Sequence, residues 1–224
     1  TVTVTLNGKV YNGTVAGDST EVTVGASDLQ GLTDGSSYYL VANVSDAAGN
    51  AATEFNGIPF MVDTTAPSIT SVTASWGTSL NGTDINSDGT ITVVTSGAEN
   101  GQTVTVTFIG KSYNGTVAGD STEMTVGASD LQGLTDGISY TLAANVSDAA
   151  GNAATEFDGI PFKVDTTAPS ITSVTVSWGT TLNGTDINSD GTVTVVTSDA
   201  ENGQTVTVTL NGKAYFGTVA GDST

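Results

Sequence analysis

Six residues, Asp84-Ile-Asn86-Ser-Asp88-Gly89, place three oxygen donors on alternate positions and close with a glycine; they return at Asp186-Ile-Asn188-Ser-Asp190-Gly191. This is the first half of the calcium-loop pattern D-x-N-x-D-G, in which alternate side chains turn oxygens inward and the glycine permits a sharp bend. The position where an EF-hand puts its bidentate glutamate is Thr95. The loop is therefore no EF-hand, and its missing ligands have to come from elsewhere, with Asp136 or backbone carbonyls as the candidates. Runs of Asx and Gly are also ordinary turn formers, which leaves the same residues a purely conformational reading.

The rest of the chemistry is carboxylate. With 23 Asp and Glu against 4 Lys, the net charge is -19. A nucleic-acid partner is excluded, because it requires a basic footprint to displace counterions, and attraction to anionic membranes is disfavoured for the same reason. The chain has no His and no Cys, so imidazole acid-base work, thiol nucleophiles, zinc sites and disulfides are all absent from its repertoire. What remains are oxygen ligands, which select hard cations, and several carboxylates on loops suit the 6 to 8 ligands of calcium (Ca2+) better than the strict octahedron of magnesium. No apolar run reaches the roughly 20 residues of a membrane span, so no membrane insertion is expected in this segment.

The elements that must hold these acids are strands. Alternation of apolar and hydroxyl residues recurs at sandwich-like spacing. It predicts strands over 68–75, 90–95, 103–108, 111–117 and 123–126, a long one over 139–147, and a last one over 157–164 in which Pro161 marks an edge or a bulge. No helix pattern is visible, and the fold expected is all-β, an immunoglobulin-like β-sandwich. Tyr140, three residues after Gly137 in Leu134-Thr-Asp-Gly, has the placement of a tyrosine corner, with its hydroxyl satisfied by backbone. Trp76 and Trp178 are expected to pack in cores.

The sequence repeats almost letter for letter every 102 residues: Thr1-Val-Thr-Val-Thr returns at Thr103 and at Thr205. That period marks tandem whole domains of about 102 residues, longer than the 20 to 50 residues of a solenoid unit. Placing boundaries at Val62-Asp-Thr-Thr-Ala-Pro and its copy at Val164 gives residues 1–65 as the C-terminal part of one domain, 66–167 as a complete domain, and 168–224 as the N-terminal part of a third. The complete unit contains eight Asp, three Glu and two Lys. Counting strand reversals sends Asp84, Asn86, Asp88, Asp130, Asp136 and Asp165 to one pole and Glu99, Asp148 and Asn152 to the other. At the first junction Asp28, Asp34 and Asp63 then approach Glu99 and Asp148; at the second, Asp130, Asp136 and Asp165 meet Asp199 and Glu201. Two bare carboxylates ~5 Å apart repel by about 3 kcal/mol at an effective dielectric near 20, and with so few lysines the expected neutralising charge is calcium from solution. The two partial units are also expected to present open strand edges, through which copies could join head to tail by strand complementation; a section of a longer rod is the alternative.

Leu134-Thr-Asp-Gly, Tyr140, Val146-Ser-Asp-Ala-Ala-Gly-Asn and Val164-Asp-Thr-Thr-Ala-Pro together resemble the bacterial immunoglobulin-like extender repeats of giant RTX adhesins exported by type I secretion. The resemblance covers the whole chain. It implies an extracellular, cell-surface spacer in which calcium at interdomain linkers stiffens a rod and holds a distal adhesive domain away from the cell. By matching motif, the linker acid falls on Asp63 and Asp165 and the acid of the loop before the last strand on Asp46 and Asp148. The rival reading is a repeated binding module for glycan or ice, suggested by the row Thr103, Thr105 and Thr107, although β-branched residues also suit the solvent face of any strand. An enzyme ranks last, since near-identical copies supply length or valency and a substrate pocket is needed only once.

Overall fold

The computed structural model describes residues 1–221. Alternating sequence becomes antiparallel sheet in three groups of strands. The first group contains β1 (Val2–Leu6), β2 (Lys9–Gly13), β3 (Ser37–Val44) and β4 (Phe55–Met61), with the short helix α1 (Ala26–Leu29) between β2 and β3. They form one sheet in the order β2-β1-β3-β4.

The second group holds β5 (Ser68–Ala74), β6 (Ser79–Asn81), β7 (Gly89–Ser96), β8 (Thr103–Phe108), β9 (Lys111–Thr116), β10 (Ser121–Val126), α2 (Ala128–Leu131), β11 (Ser139–Thr141), β12 (Ala143–Val146) and β13 (Pro161–Asp165). The sheet β10-β7-β5 faces the sheet β12-β8-β9, and β13 joins β11 antiparallel and β6 parallel. This is the expected immunoglobulin-like sandwich. Val72, Ile91 and Val93 from one layer and Val104, Val106 and Phe108 from the other are all fully buried, as period-two alternation requires of the inward face. Trp76 closes one end of this core edge-on against Phe162, with ring centroids 5.4 Å apart. Gly89 lies directly beneath the indole, where a Cβ would overlap it. The Trp76 indole nitrogen is buried without a hydrogen-bond partner.

The third group comprises β14 (Ser170–Val176), β15 (Val193–Ser198), β16 (Thr205–Leu210) and β17 (Lys213–Thr218), paired as β14-β15 and β16-β17. Burial tracks how much of the sandwich each group contains. Phe108 is 1% exposed, whereas Leu210, at the same position of the repeat, is 55% exposed. The groove this leaves, about 1060 Å³, is lined by Trp178, Val193, Val195, Val206 and Val208 among others. The last residues of the expected third unit, 222–224, lie outside those described.

Three expectations are corrected. The long strand over 139–147 divides into β11 and β12 at Leu142, whose carbonyl stands where a Cβ at residue 159 would be, so that glycine is required there. The final strand starts at Pro161 and not at residue 157, Phe157 contributing one isolated bridge to Ala144. A helix does exist: Ala128–Leu131 makes a single turn that buries Leu131, too short for a 3.6-residue period to show in sequence. Among the described residues, no helix is long and apolar enough to cross a membrane.

Candidate functional site

The linker after each last strand is held by a carboxylate some thirty residues upstream. Asp136, on the turn before β11, accepts from the backbone N–H of Thr166 at 2.6 Å, from the Thr166 hydroxyl at 3.0 Å and, through its other oxygen, from the Thr167 hydroxyl at 2.7 Å. Asp34 does the same for Thr64 and Thr65 at 2.6, 2.9 and 2.7 Å. These donors hold both carboxyls below the usual range, chiefly the Thr166 N–H for Asp136 and the Thr65 hydroxyl for Asp34. The corner that presents Asp136 is itself pinned by Tyr140, whose hydroxyl accepts from the Thr135 N–H at 3.1 Å; Tyr38 and Thr33 repeat the contact at 2.9 Å. The expected tyrosine corner is therefore present in both groups.

From the other side of the first linker comes the loop after β12. Asp148 is 4% exposed. It accepts from the Asn152 N–H at 2.7 Å and from the Asn152 amide Nδ2 at 2.8 Å, in a turn that closes only because Gly151 adopts φ +95°. Burial opposes the charge on Asp148, yet the Asn152 and glycine donors outweigh it and the carboxyl stays below its ordinary value. The same Nδ2 donates to the backbone carbonyl of Asp63 at 3.1 Å and reaches 3.5 Å from the Asp63 carboxylate. One amide thus joins the linker acid Asp63 to the loop acid Asp148. Glu99 lies alongside, accepting from Ala149 N–H at 2.9 Å. The matching loop of the first group, Asp46 with Asn50, makes the same internal contacts.

At the second junction, Asp136, Asp165, Asp199, Glu201 and Lys163 line one cavity of about 510 Å³. Four of the five acids expected there are brought together. The fifth, Asp130, is not: it pairs with Lys111 and accepts from the Tyr113 hydroxyl at 2.7 Å. Asp28 is likewise paired, with Lys9. The expectation that these two need a cation from solution is overturned; the sequence signal was Lys-x-Tyr, which puts ammonium and phenol on one face of a strand.

The D-x-N-x-D-G side chains each meet a backbone group of their own. Asp84 accepts from Asn81 N–H at 3.1 Å, Asn86 donates to the Gly82 carbonyl at 2.7 Å, and Asp88 accepts from Ala128 N–H at 2.8 Å, starting α2. Asp186 and Asn188 repeat the first two contacts, with Asn183 and Gly184, and Asp190 lines the groove of the third group. These contacts are of the kind Asx-Gly turns make. Among the described residues, no three acidic side chains stand close enough to form a metal centre by themselves.

Sequence reading passed over the linker threonines, whose hydroxyls fit Asp34 and Asp136, because isolated Thr-Thr carries no pattern.

The chain resembles the repeats of bacterial adhesins. It is 31% identical to a solved calcium-stabilised adhesin with which an Antarctic bacterium reaches out and binds ice, over 97% of this chain and 54% of that one, with a TM-score of 0.48. It is 26% identical to a tetra-tandem repeat from the extending region of a large adhesion protein, again over 97% and 54%, with a TM-score of 0.37. Among curated proteins it is similar to chitinase A1 of Niallia circulans, 31% identical over 183 residues, which are 73% of this chain but 22% of that enzyme. The chain thus spans about half of the solved adhesin pieces and less than a quarter of the chitinase. No family model matches it.

Proposed function

We propose that the chain is a run of spacer domains from a bacterial cell-surface adhesin, divided at residues 65 and 167, whose joints are stiffened by calcium and which projects an adhesive domain without catalysing a reaction. The observation that carries this reading is the first linker: Asp34 grips its threonines from one side while Asn152 reaches its Asp63 from the other. A linker anchored at both ends transmits orientation, and orientation is what a spacer has to conserve.

Calcium suits the joint by donor chemistry. The backbone and side-chain oxygens of Asp63 and the Asp148 carboxylate are hard donors that meet at the Asn152 side chain, and Glu99 is on the adjoining loop; at the second joint Asp165 and Glu201 correspond to Asp63 and Glu99, with Asp136 beside them. Bound there, the ion supplies positive charge that cancels the repulsion between linker and loop and leaves the remaining ligands to carbonyls and water. Sites of this kind in extracellular modules have dissociation constants of roughly 10⁻⁴ to 10⁻³ M, which leaves them empty in a cytosol and filled outside. Asp84, Asn86 and Asp88 contribute to turn structure in this scheme.

The glycan- or ice-binding alternative draws on the threonine row of β8. Thr103 and Thr107 do face solvent, but Thr105 directs its hydroxyl to the Asn114 amide oxygen at 2.9 Å, an ordinary cross-strand pair. Small-angle scattering with calcium and with EDTA tests the spacer reading: the radius of gyration rises on chelation, and a chain carrying Asp63→Asn, Asp148→Asn, Asp165→Asn and Glu201→Gln, altered at both joints, shows no such change. A wild-type profile indifferent to EDTA refutes the calcium joint.

A further inference from the structure

Across 102 residues, the two copies that meet the junctions differ at few positions, and two of those differences fall on the same cavity with opposite charge. Met61 of the first group is Lys163 in the second; Gly97 of the second group is Asp199 in the third. Lys163 and Asp199 both line the 510 Å³ cavity of the second junction, on opposite sides of the boundary. One exchange adds a positive charge and the other a negative one, so the net charge of the junction is held.

The backbone makes the second change unusual. Asp199 stands at φ +63°, where its counterpart Gly97 has φ +81°. An L-residue there accepts strain that glycine avoids, although aspartate tolerates it better than most. Strain of this kind points to a task for the side chain. Its carboxylate is also oriented, accepting from the Ser198 hydroxyl at 2.9 Å.

We propose that Lys163 and Asp199 form an ion pair across the repeat boundary, a latch particular to the second junction, by which β13 of one repeat grips the loop after β15 of the next. Among the described residues the ion pairs closed in the structure are Lys9 with Asp28 and Lys111 with Asp130; Lys163 and Asp199 are not joined there, but line one cavity together. The latch explains why lysine and aspartate appear together: a lone lysine at Met61 would meet no new partner, and a lone aspartate at Gly97 would add repulsion to Glu99. It relies on the junctions proposed above but not on their calcium, and it makes neighbouring repeats non-interchangeable, the Lys163 end fitting a successor with an acid at this loop position.

Zero-length carbodiimide coupling of the 224-residue chain in EDTA tests it, because only carboxylates touching an amine form the amide. Mass spectrometry is expected to find Lys163 joined to Asp199, with Lys111 joined to Asp130 as the internal reference. Links from Lys163 confined to Asp165 or Glu201, or none while the reference forms, overturn the proposal. Lys163→Met and Asp199→Gly restore residues already present in the first junction and so keep the fold. Each is expected to speed cleavage of the second linker by a nonspecific protease severalfold, with no further gain in the double variant; additive gains overturn the latch even if the cross-link forms. Since calcium is absent throughout, failure here leaves the calcium joint standing, and failure of EDTA to alter the scattering profile leaves the latch standing.

Discussion

Several of the acids singled out by type have roles set by the donors around them. Asp136 is held by three donors from the linker, so its lowered pKa is a statement about linker order: the contribution is present above the ordinary value of 3.8 and is lost as pH falls through the depressed folded value. The Asp136→Asn chain, which presents an amide to those donors, is expected to be cut at the second linker at neutral pH, whereas the native linker becomes sensitive only below that range; limited proteolysis between pH 7 and about pH 2.5 reads the difference. Tyr113 shows the opposite sign. Burial first, and then the adjacent Asp130 carboxylate, push its phenol up to about 12. Its stabilising hydrogen bond is therefore complete below the usual value of 10.0 and lost as pH rises through about 12, which ultraviolet titration will record as a late-ionising tyrosine removed by Tyr113→Phe; Tyr11, beside Asp28, is raised as well.

At the scale of elements, the sandwich positions the junction groups through two devices that end strands. The tyrosine corner fixes the turn that carries Asp136, and Trp76 seals the pole beneath the first turn of β7. Tyr140→Phe removes one hydrogen bond and is expected to cost about 1 kcal/mol. Trp76→Ala opens a cavity against Phe162 and Gly89 and is expected to cost roughly 3 to 5 kcal/mol, both measurable by chemical denaturation. Strand periodicity was legible because burial alternates with the pleat: Val104, Val106 and Phe108 are where an inward face requires apolar residues. The break at Leu142 and the one-turn helix α2 were not, since the first involves a close approach to Gly159 and the second is too short to show a 3.6-residue period.

For the whole molecule, length and charge act together. Under the spacer function proposed above, a chain of net charge -19 whose joints concentrate carboxylates straightens or kinks according to how those joints are neutralised. Raising monovalent salt from 0.1 to 1 M shortens the screening length from about 10 to 3 Å. The scattering difference between calcium and EDTA is therefore expected to shrink at 1 M NaCl without vanishing, because screening relieves repulsion but supplies no bridging ligand field. A difference that is independent of salt would assign the stiffening to something other than charge.

The 102-residue repeat, the all-β class and the tyrosine corner were readable from order and composition, because periodicity and motif spacing are properties of the chain alone. Only the tertiary structure separated acids that already have partners from acids that face open space. Asp130 and Asp165 look alike in sequence, yet one is tied to Lys111 and Tyr113 and the other opens onto a shared cavity. Hydrogen bonds and ion pairs act over a few ångströms between segments tens of residues apart, and that distance is set by how the sheets and loops pack, not by the order of letters.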